Sequence, residues 1–219
     1  MVPGTDVALV RLSRFSANAS QEMAAALAGA KASGATALIL DVRNNPGGLL
    51  EQAVEVSSHF LEEGNVLQEE DAEGRRRTFP VKGGGLATDL PLVVLINEGS
   101  ASSAEIVAGA IQDHRRGTLV GSTTFGTGTV LRTFTLDDGS ALMLGTSQWL
   151  TANGRLIRKQ GIEPDVALPL PSEARQLLPG RIAEMIPSEI VDSGDVQVLR
   201  ALQLLGTWPA SDEGIPRGS

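Results

Sequence analysis

The sequence predicts an α/β protein, and three observations carry that prediction. Two nearly unbroken apolar runs, Ala37-Leu38-Ile39-Leu40-Asp41-Val42 and Pro91-Leu92-Val93-Val94-Leu95-Ile96, have strand length and lack the alternation of a half-exposed strand. Runs of this kind belong to strands covered on both faces, as in parallel sheets. Residues at helical spacing lie between and after them, which is the order of βαβ units. Finally, 219 residues with 42% hydrophobic and 20% charged side chains suit one globular unit with an appendage, and exclude disordered or collagen-like chain.

Val7-Ala8-Leu9-Val10-Arg11-Leu12 reads as the first, mostly buried strand. Asn18 and Gln21 form a helix-start pattern, a short side-chain acceptor at the cap and an amide reaching back to it. Met23, Leu27 and Ala30 follow at helical spacing, and Gly34 ends the segment. The run 37–42 is the second strand and breaks at Asn44-Asn45-Pro46-Gly47-Gly48, a strong turn signal. Leu50, Val54, Ser57 and Leu61 mark one side of a second helix. The polar, glycine-rich stretch 62–89 holds at most a short hairpin.

The third strand, 91–96, ends in Asn97-Glu98-Gly99-Ser100-Ala101-Ser102, and a helix follows with Ile106, Ala110 and Ile111 inward. Thr118-Leu119-Val120 is a short strand. Segments 130–136 and 141–148 alternate as strands joined by the turn Asp137-Asp138-Gly139. Segment 149–169 reads as loop with room for one more strand, which leaves Trp149 and Leu150 as core or interface residues. The stretch 173–205 is largely helical, broken at Pro179-Gly180 and Pro187. The expected organisation is a core over 1–170, a helical extension over 171–206, and a ragged or artificially appended tail over 207–219.

The balance of 18 basic against 26 acidic side chains, net −8, disfavours nucleic acid and anionic membranes as partners. The run Arg75-Arg76-Arg77 follows Asp71 and Glu73 and reads as a solvated loop. With no cysteine, a disulfide framework, a thiol nucleophile and a cysteine zinc site are excluded. With only His59 and His114, a three-histidine metal site is excluded as well. No run of ~18 apolar residues predicts a membrane span, and residues 1–6 lack the features of a signal peptide.

Two segments can carry chemistry, because each lies at the end of a buried strand, where α/β proteins place reacting groups. The Gly47-Gly48 turn leaves backbone N–H groups uncovered, which suits an oxyanion hole and equally suits any tight strand-to-helix turn. Ser102 falls at the start of a helix, beside unpaired N–H groups and the positive end of the helix dipole. That placement suits a nucleophile; it also suits an N-cap, with Glu105 completing a capping box. The segment is not a Gly-x-Ser-x-Gly elbow, since Ser100 stands two residues before Ser102. His114, twelve residues on, lies roughly 18 Å away along one helix, and His59 falls late in the other helix. A base for Ser102 therefore has to be a different group; lysine is the usual substitute, and only Lys31, Lys82 and Lys159 exist.

These segments, in this order, resemble the C-terminal processing peptidases, or tail-specific proteases. The matching stretches are 38–48, 94–102, Glu105-Ile106-Val107-Ala108-Gly109-Ala110, 121–128, Asp138-Gly139-Ser140 and Gly161-Ile162-Glu163-Pro164-Asp165, spread over 7–168. The resemblance implies a crotonase-like (ClpP/crotonase-type) α/β core and a serine endopeptidase with a Ser/Lys dyad. It implies Ser102 as nucleophile, with the N–H groups of Ser103 and of Gly47 or Gly48 as oxyanion donors. It implies no cofactor, and protein or peptide substrates bound as extended segments.

Two positions depart from the family pattern. The family's general-base lysine stands twenty-five residues after the nucleophile, where this chain reads Phe125-Gly126-Thr127-Gly128. A supporting glutamine often stands four residues further on, where this chain has Leu131. A buried lysine with a lowered pKa can take the serine proton, whereas a threonine hydroxyl is far too weak a base. The expectation is a peptidase impaired at its base position, or alternatively a pseudopeptidase that binds extended peptides without cutting them. An acyl-CoA enzyme on the same fold would need a nucleotide-phosphate site, which the acidic balance disfavours. Of the lysines, Lys159 lies where the family often carries a lysine that is not the base. Lys82 reads as a mobile loop residue, and Lys31 as solvated. The family's usual PDZ domain and export signal are not in this sequence, and by analogy the parent protein acts in the bacterial periplasm or cell envelope.

Overall fold

The computed structural model describes residues 1–208, so most of the tail expected over 207–219 lies outside the described residues. Strands β1 (Val7–Arg11), β2 (Ala37–Asp41), β5 (Leu92–Ile96), β6 (Thr118–Gly121) and β9 (Val166–Ala167) form one sheet in the order β1-β2-β5-β6-β9. Every pairing in it is parallel. Helix α1 (Ala19–Ala32) links β1 to β2, α2 (Leu50–Ser58) follows β2, and α3 (Ser103–Asp113) links β5 to β6. This is the mixed α/β arrangement that the apolar runs predict.

Side chains of successive strand residues leave opposite faces, and both faces are covered. Leu38, Leu40, Val94, Ile96 and Leu119 join one core with α1, α2 and α3. Val7, Leu9, Ile39, Val93, Leu95 and Val120 join a second core with Leu177, Ile182, Ile190, Val198 and Leu202. The latter belong to the segment after β9, where α4 (Pro179–Ile182), α5 (Pro187–Asp192) and α6 (Val196–Leu204) lie. The two prolines read as helix breaks are instead the first residues of α4 and α5. At that position the missing N–H costs nothing and the fixed φ already suits a helix.

The remaining strands form an antiparallel sheet in the order β4-β3-β8-β7: β3 (Asn65–Asp71), β4 (Arg76–Pro80), β7 (Thr129–Thr135) and β8 (Ala141–Thr151). The hairpin expected within 62–89 is β3–β4, and it pairs with β8, a partner eighty residues away in sequence. Trp149 and Leu150 lie in β8 rather than in a loop and are buried, Trp149 edge-on to Phe79 at 6.1 Å between centroids. Gln21 makes no cap bond at α1; the N–H of Ser20 donates instead to Gln52 Oε1 at 2.8 Å. No helix among the described residues is long and apolar enough to cross a membrane.

Candidate active site

Parallel pairing of β2 with β5 brings their carboxyl ends together, and the turns leaving them interlock. The N–H of Asn44 donates to Asn97 Oδ1 at 2.8 Å, and Asn97 Nδ2 donates to Asn44 Oδ1 at 2.9 Å. The N–H of Ala101 donates to the Asn45 carbonyl at 2.9 Å, and Ser100 Oγ to that of Val42 at 2.8 Å. Gly47 presses against the start of α3: a Cβ there would come 2.7 Å from Ser102 Cβ and 2.9 Å from Ser103 N. Only glycine allows that approach, at φ 94°.

Ser102 itself has φ 55° and ψ −116°. A non-glycine residue held there stores about 1–3 kcal/mol of strain, which its surroundings must hold in place. They do so through Glu105. Its buried carboxylate accepts the Ser102 N–H at 2.8 Å and the Thr127 N–H at 2.9 Å on Oε2. Oε1 accepts Thr124 Oγ1 at 2.7 Å and the Gly126 N–H at 2.6 Å. Sharing Oε2 limits the separation of the Ser102 and Thr127 nitrogens to about 5.7 Å. The N–H of Phe125 donates to the Ser100 carbonyl at 3.0 Å, closing the loop 124–127 over the serine turn.

Half of the expected capping box is therefore present, the glutamate half. Ser102 Oγ makes no cap bond and has no hydrogen-bond partner among the described residues, so the hydroxyl is free to react. The two candidate oxyanion glycines also separate. The N–H of Gly47 is committed to Asn45 Oδ1 at 2.8 Å, whereas those of Gly48 and Ser103 have no acceptor among the described residues. A strained serine with a free hydroxyl, beside two open N–H groups, is the layout that acyl transfer needs.

A profile of peptidase family S41 matches residues 6–168. The chain belongs to peptidase family S41. It is 42% identical over 205 residues to a carboxyl-terminal-processing protease of Synechocystis sp., covering 93% of this chain and 44% of that protein. It is 40% identical over 167 residues to the carboxy-terminal processing protease CtpA of Bacillus subtilis, covering 76% of this chain and 36% of that one. Among solved structures, a photosystem II D1 C-terminal processing protease superposes with a TM-score of 0.75 at 34% identity, covering 81% of this chain and 46% of that one. The chain thus spans less than half the length of these relatives.

Within this S41 chain, Thr127 is half-buried and tied to the site by its backbone. Leu131 stands on β7 opposite Gly145, 58% exposed, and lines an open cleft of about 690 Å³ with Thr129, Gln148 and Arg158. The histidines are far from Ser102, as the helix lengths require: His59 caps α2 and contacts Ser20, and His114 caps α3 and contacts the Asn65 carbonyl. Lys82, expected to be mobile, pairs with Glu55 at 2.7 Å and holds that carboxyl below its ordinary pKa. Lys31 is exposed and lies 3.3 Å from Asp89. Lys159 has φ 62°, and its N–H donates to the Gly126 carbonyl at 2.8 Å, one residue from Thr127.

Sequence reasoning missed the central role of Glu105, which it read only as a cap. A signal was present in the sequence: Glu105 is the one charged residue in the otherwise small and apolar run 104–111, all of which the structure buries. A carboxylate in such a helix needs several donors to offset its desolvation.

Proposed function

We propose that this chain is the peptidase core of a serine endopeptidase of the C-terminal processing type, acting on carboxyl-terminal tails of proteins, and that Thr127 leaves it without its general base. One observation carries the reading: Glu105 ties the strained Ser102 to the loop that holds Thr127, beside the open N–H groups of Gly48 and Ser103. Ser102 Oγ attacks the scissile carbonyl, and the oxyanion is received by those two N–H groups. The proton on Oγ then needs an acceptor, and the Thr127 hydroxyl is too weak a base to serve. Loss of one member of such a unit costs on the order of 10⁴ to 10⁶ in rate and leaves some oxyanion-hole catalysis.

Substrate binds as an extended segment. Strand β7 begins two residues after Thr127 and is an edge of its sheet, with backbone groups open to a further strand. The likeness to solved S41 structures also supports a crotonase-like core, and by analogy with the family we place the parent protein in the bacterial periplasm or cell envelope. A second reading, peptide binding without cleavage, is favoured by Thr127 and Leu131 together, since neither offers a base or a partner for one.

A serine-directed fluorophosphonate followed by intact mass and peptide mapping separates the two. The expected result is one adduct on Thr127→Lys, located at Ser102, and none on Thr127→Lys combined with Ser102→Ala. Absence of any adduct on Thr127→Lys contradicts the peptidase reading and leaves the binding module.

A further inference from the structure

The family match ends at residue 168, yet the segment beyond it reaches back to the turn at 44–48. Arg43, the residue immediately before that turn, is completely buried. Its Nε and one terminal nitrogen donate to the two oxygens of Asp41, each at 3.0 Å. Its other terminal nitrogen donates to Asp195 Oδ1 and Gln197 Oε1, each at 2.9 Å, across more than 150 residues of sequence. Burial alone would lower the pKa of this guanidinium, but the bonds and charges of Asp41 and Asp195 outweigh it and hold Arg43 protonated.

Asp41 is shared, because Arg11 also donates to it at 2.8 Å, so Asp195 supplies the second negative charge that balances two cations. Asp195 is itself fixed as the N-cap of α6, accepting the N–H groups of Val198 and Leu177. One residue before Leu177, Gln176 Oε1 accepts Asn44 Nδ2 at 3.1 Å. The C-terminal segment therefore holds two consecutive residues, Arg43 and Asn44, at the root of the turn. Asn44 has φ 56°, a left-handed conformation that asparagine tolerates better than most residues, and its side chain is tied both to Gln176 and to Asn97.

We infer that Asp195, acting through Arg43, and Gln176, acting through Asn44, are positioning residues that set the geometry of the Gly47-Gly48 turn. That the turn serves as an oxyanion hole rests on the proposed function; that the segment sets its shape does not. Without the Asp195 charge, a buried cation is left under-paired and its backbone shifts to reach solvent. The next four residues move with it, including Asn45, which holds the Gly47 N–H and the Ala101 N–H.

Amide hydrogen exchange on the whole chain reads this without requiring catalysis. In Asp195→Asn, the amides of Asn44, Asn45, Gly47 and Leu49 are expected to exchange at least about tenfold faster, while those of β5 and the middle of α3 keep their rates. Gln176→Ala removes an exposed contact, and is expected to speed the Asn44 and Asn45 amides. Leu199→Ala, which truncates a core side chain of α6 that has no hydrogen bond to Arg43 or Asn44, is the control and is expected to leave the turn no faster than the rest of the chain. In the Thr127→Lys background, Asp195→Asn is expected to lower kcat about tenfold at unchanged KM, as loss of a transition-state contact does. Unchanged turn amides in folded Asp195→Asn and Gln176→Ala overturn the inference, and so does selective loosening of the turn by Leu199→Ala. A slow Thr127→Lys chain that still shows the exchange pattern counts against the proposed function and not against the coupling.

Discussion

Glu105 concentrates four donors on two oxygens in a site that water does not reach. Ionised, a carboxylate accepts on both oxygens, so all four bonds are satisfied together. Glu105→Gln keeps the shape but turns an amide NH₂ toward two N–H or O–H donors, whichever way it is placed. The expected cost is about 2–3 kcal/mol, read as a fall in Tm of roughly 5–10 °C; a variant as stable as the parent would remove Glu105 from the centre of the site. Gly48→Ala tests the neighbouring turn. Its Cβ would lie 2.2 Å from the Phe15 carbonyl oxygen, at φ 151°, so the turn and the Phe15 segment between β1 and α1 must separate. That substitution is expected to destabilise by more than the ~1 kcal/mol of an ordinary glycine-to-alanine strain, measured by urea unfolding. Retained stability would mean that the contact between Phe15 and Gly48 is soft.

At the scale of elements, the unbroken apolar runs are explained by two cores sharing one sheet. Leu40 of β2 faces the core with α1 to α3, and Leu95 of β5 faces the core with α6. Leu40→Ala and Leu95→Ala are each expected to cost about 2–4 kcal/mol. A small effect at Leu95 alone would mean that the C-terminal segment does not cover that face. The same alternation made β2 and β5 legible from sequence, because burial on both faces leaves its mark in every residue. The antiparallel sheet was less legible. The pairing of β3 with β8 joins segments eighty residues apart, and the polar residues of β3 give no local sign of their partner. Trp149 was ambiguous for the same reason: its burial depends on Phe79, which no local pattern associates with it.

Across the molecule, the turn 44–48 and the serine segment were legible because glycine pairs and short polar residues after buried strands mark backbone that side chains cannot cover. The wiring between them was not. The bond from the Ser102 N–H to Glu105 was announced by the capping-box spacing, but neither the bond from Glu105 to Thr127 nor that from Asp195 of α6 to Arg43 has any signature in spacing, since each exists only once distant segments are assembled. The central claim is that this assembled site lacks one component, a base at position 127. The most direct measurement is kcat/KM on a loosely folded protein substrate for the unmodified chain, Thr127→Lys and Ser102→Ala. The account predicts a gain of at least about 10³ in Thr127→Lys over the unmodified chain, abolished when Ser102→Ala is added. Brisk cleavage by the unmodified chain that vanishes in Ser102→Ala would contradict it, and would place the base elsewhere in the site.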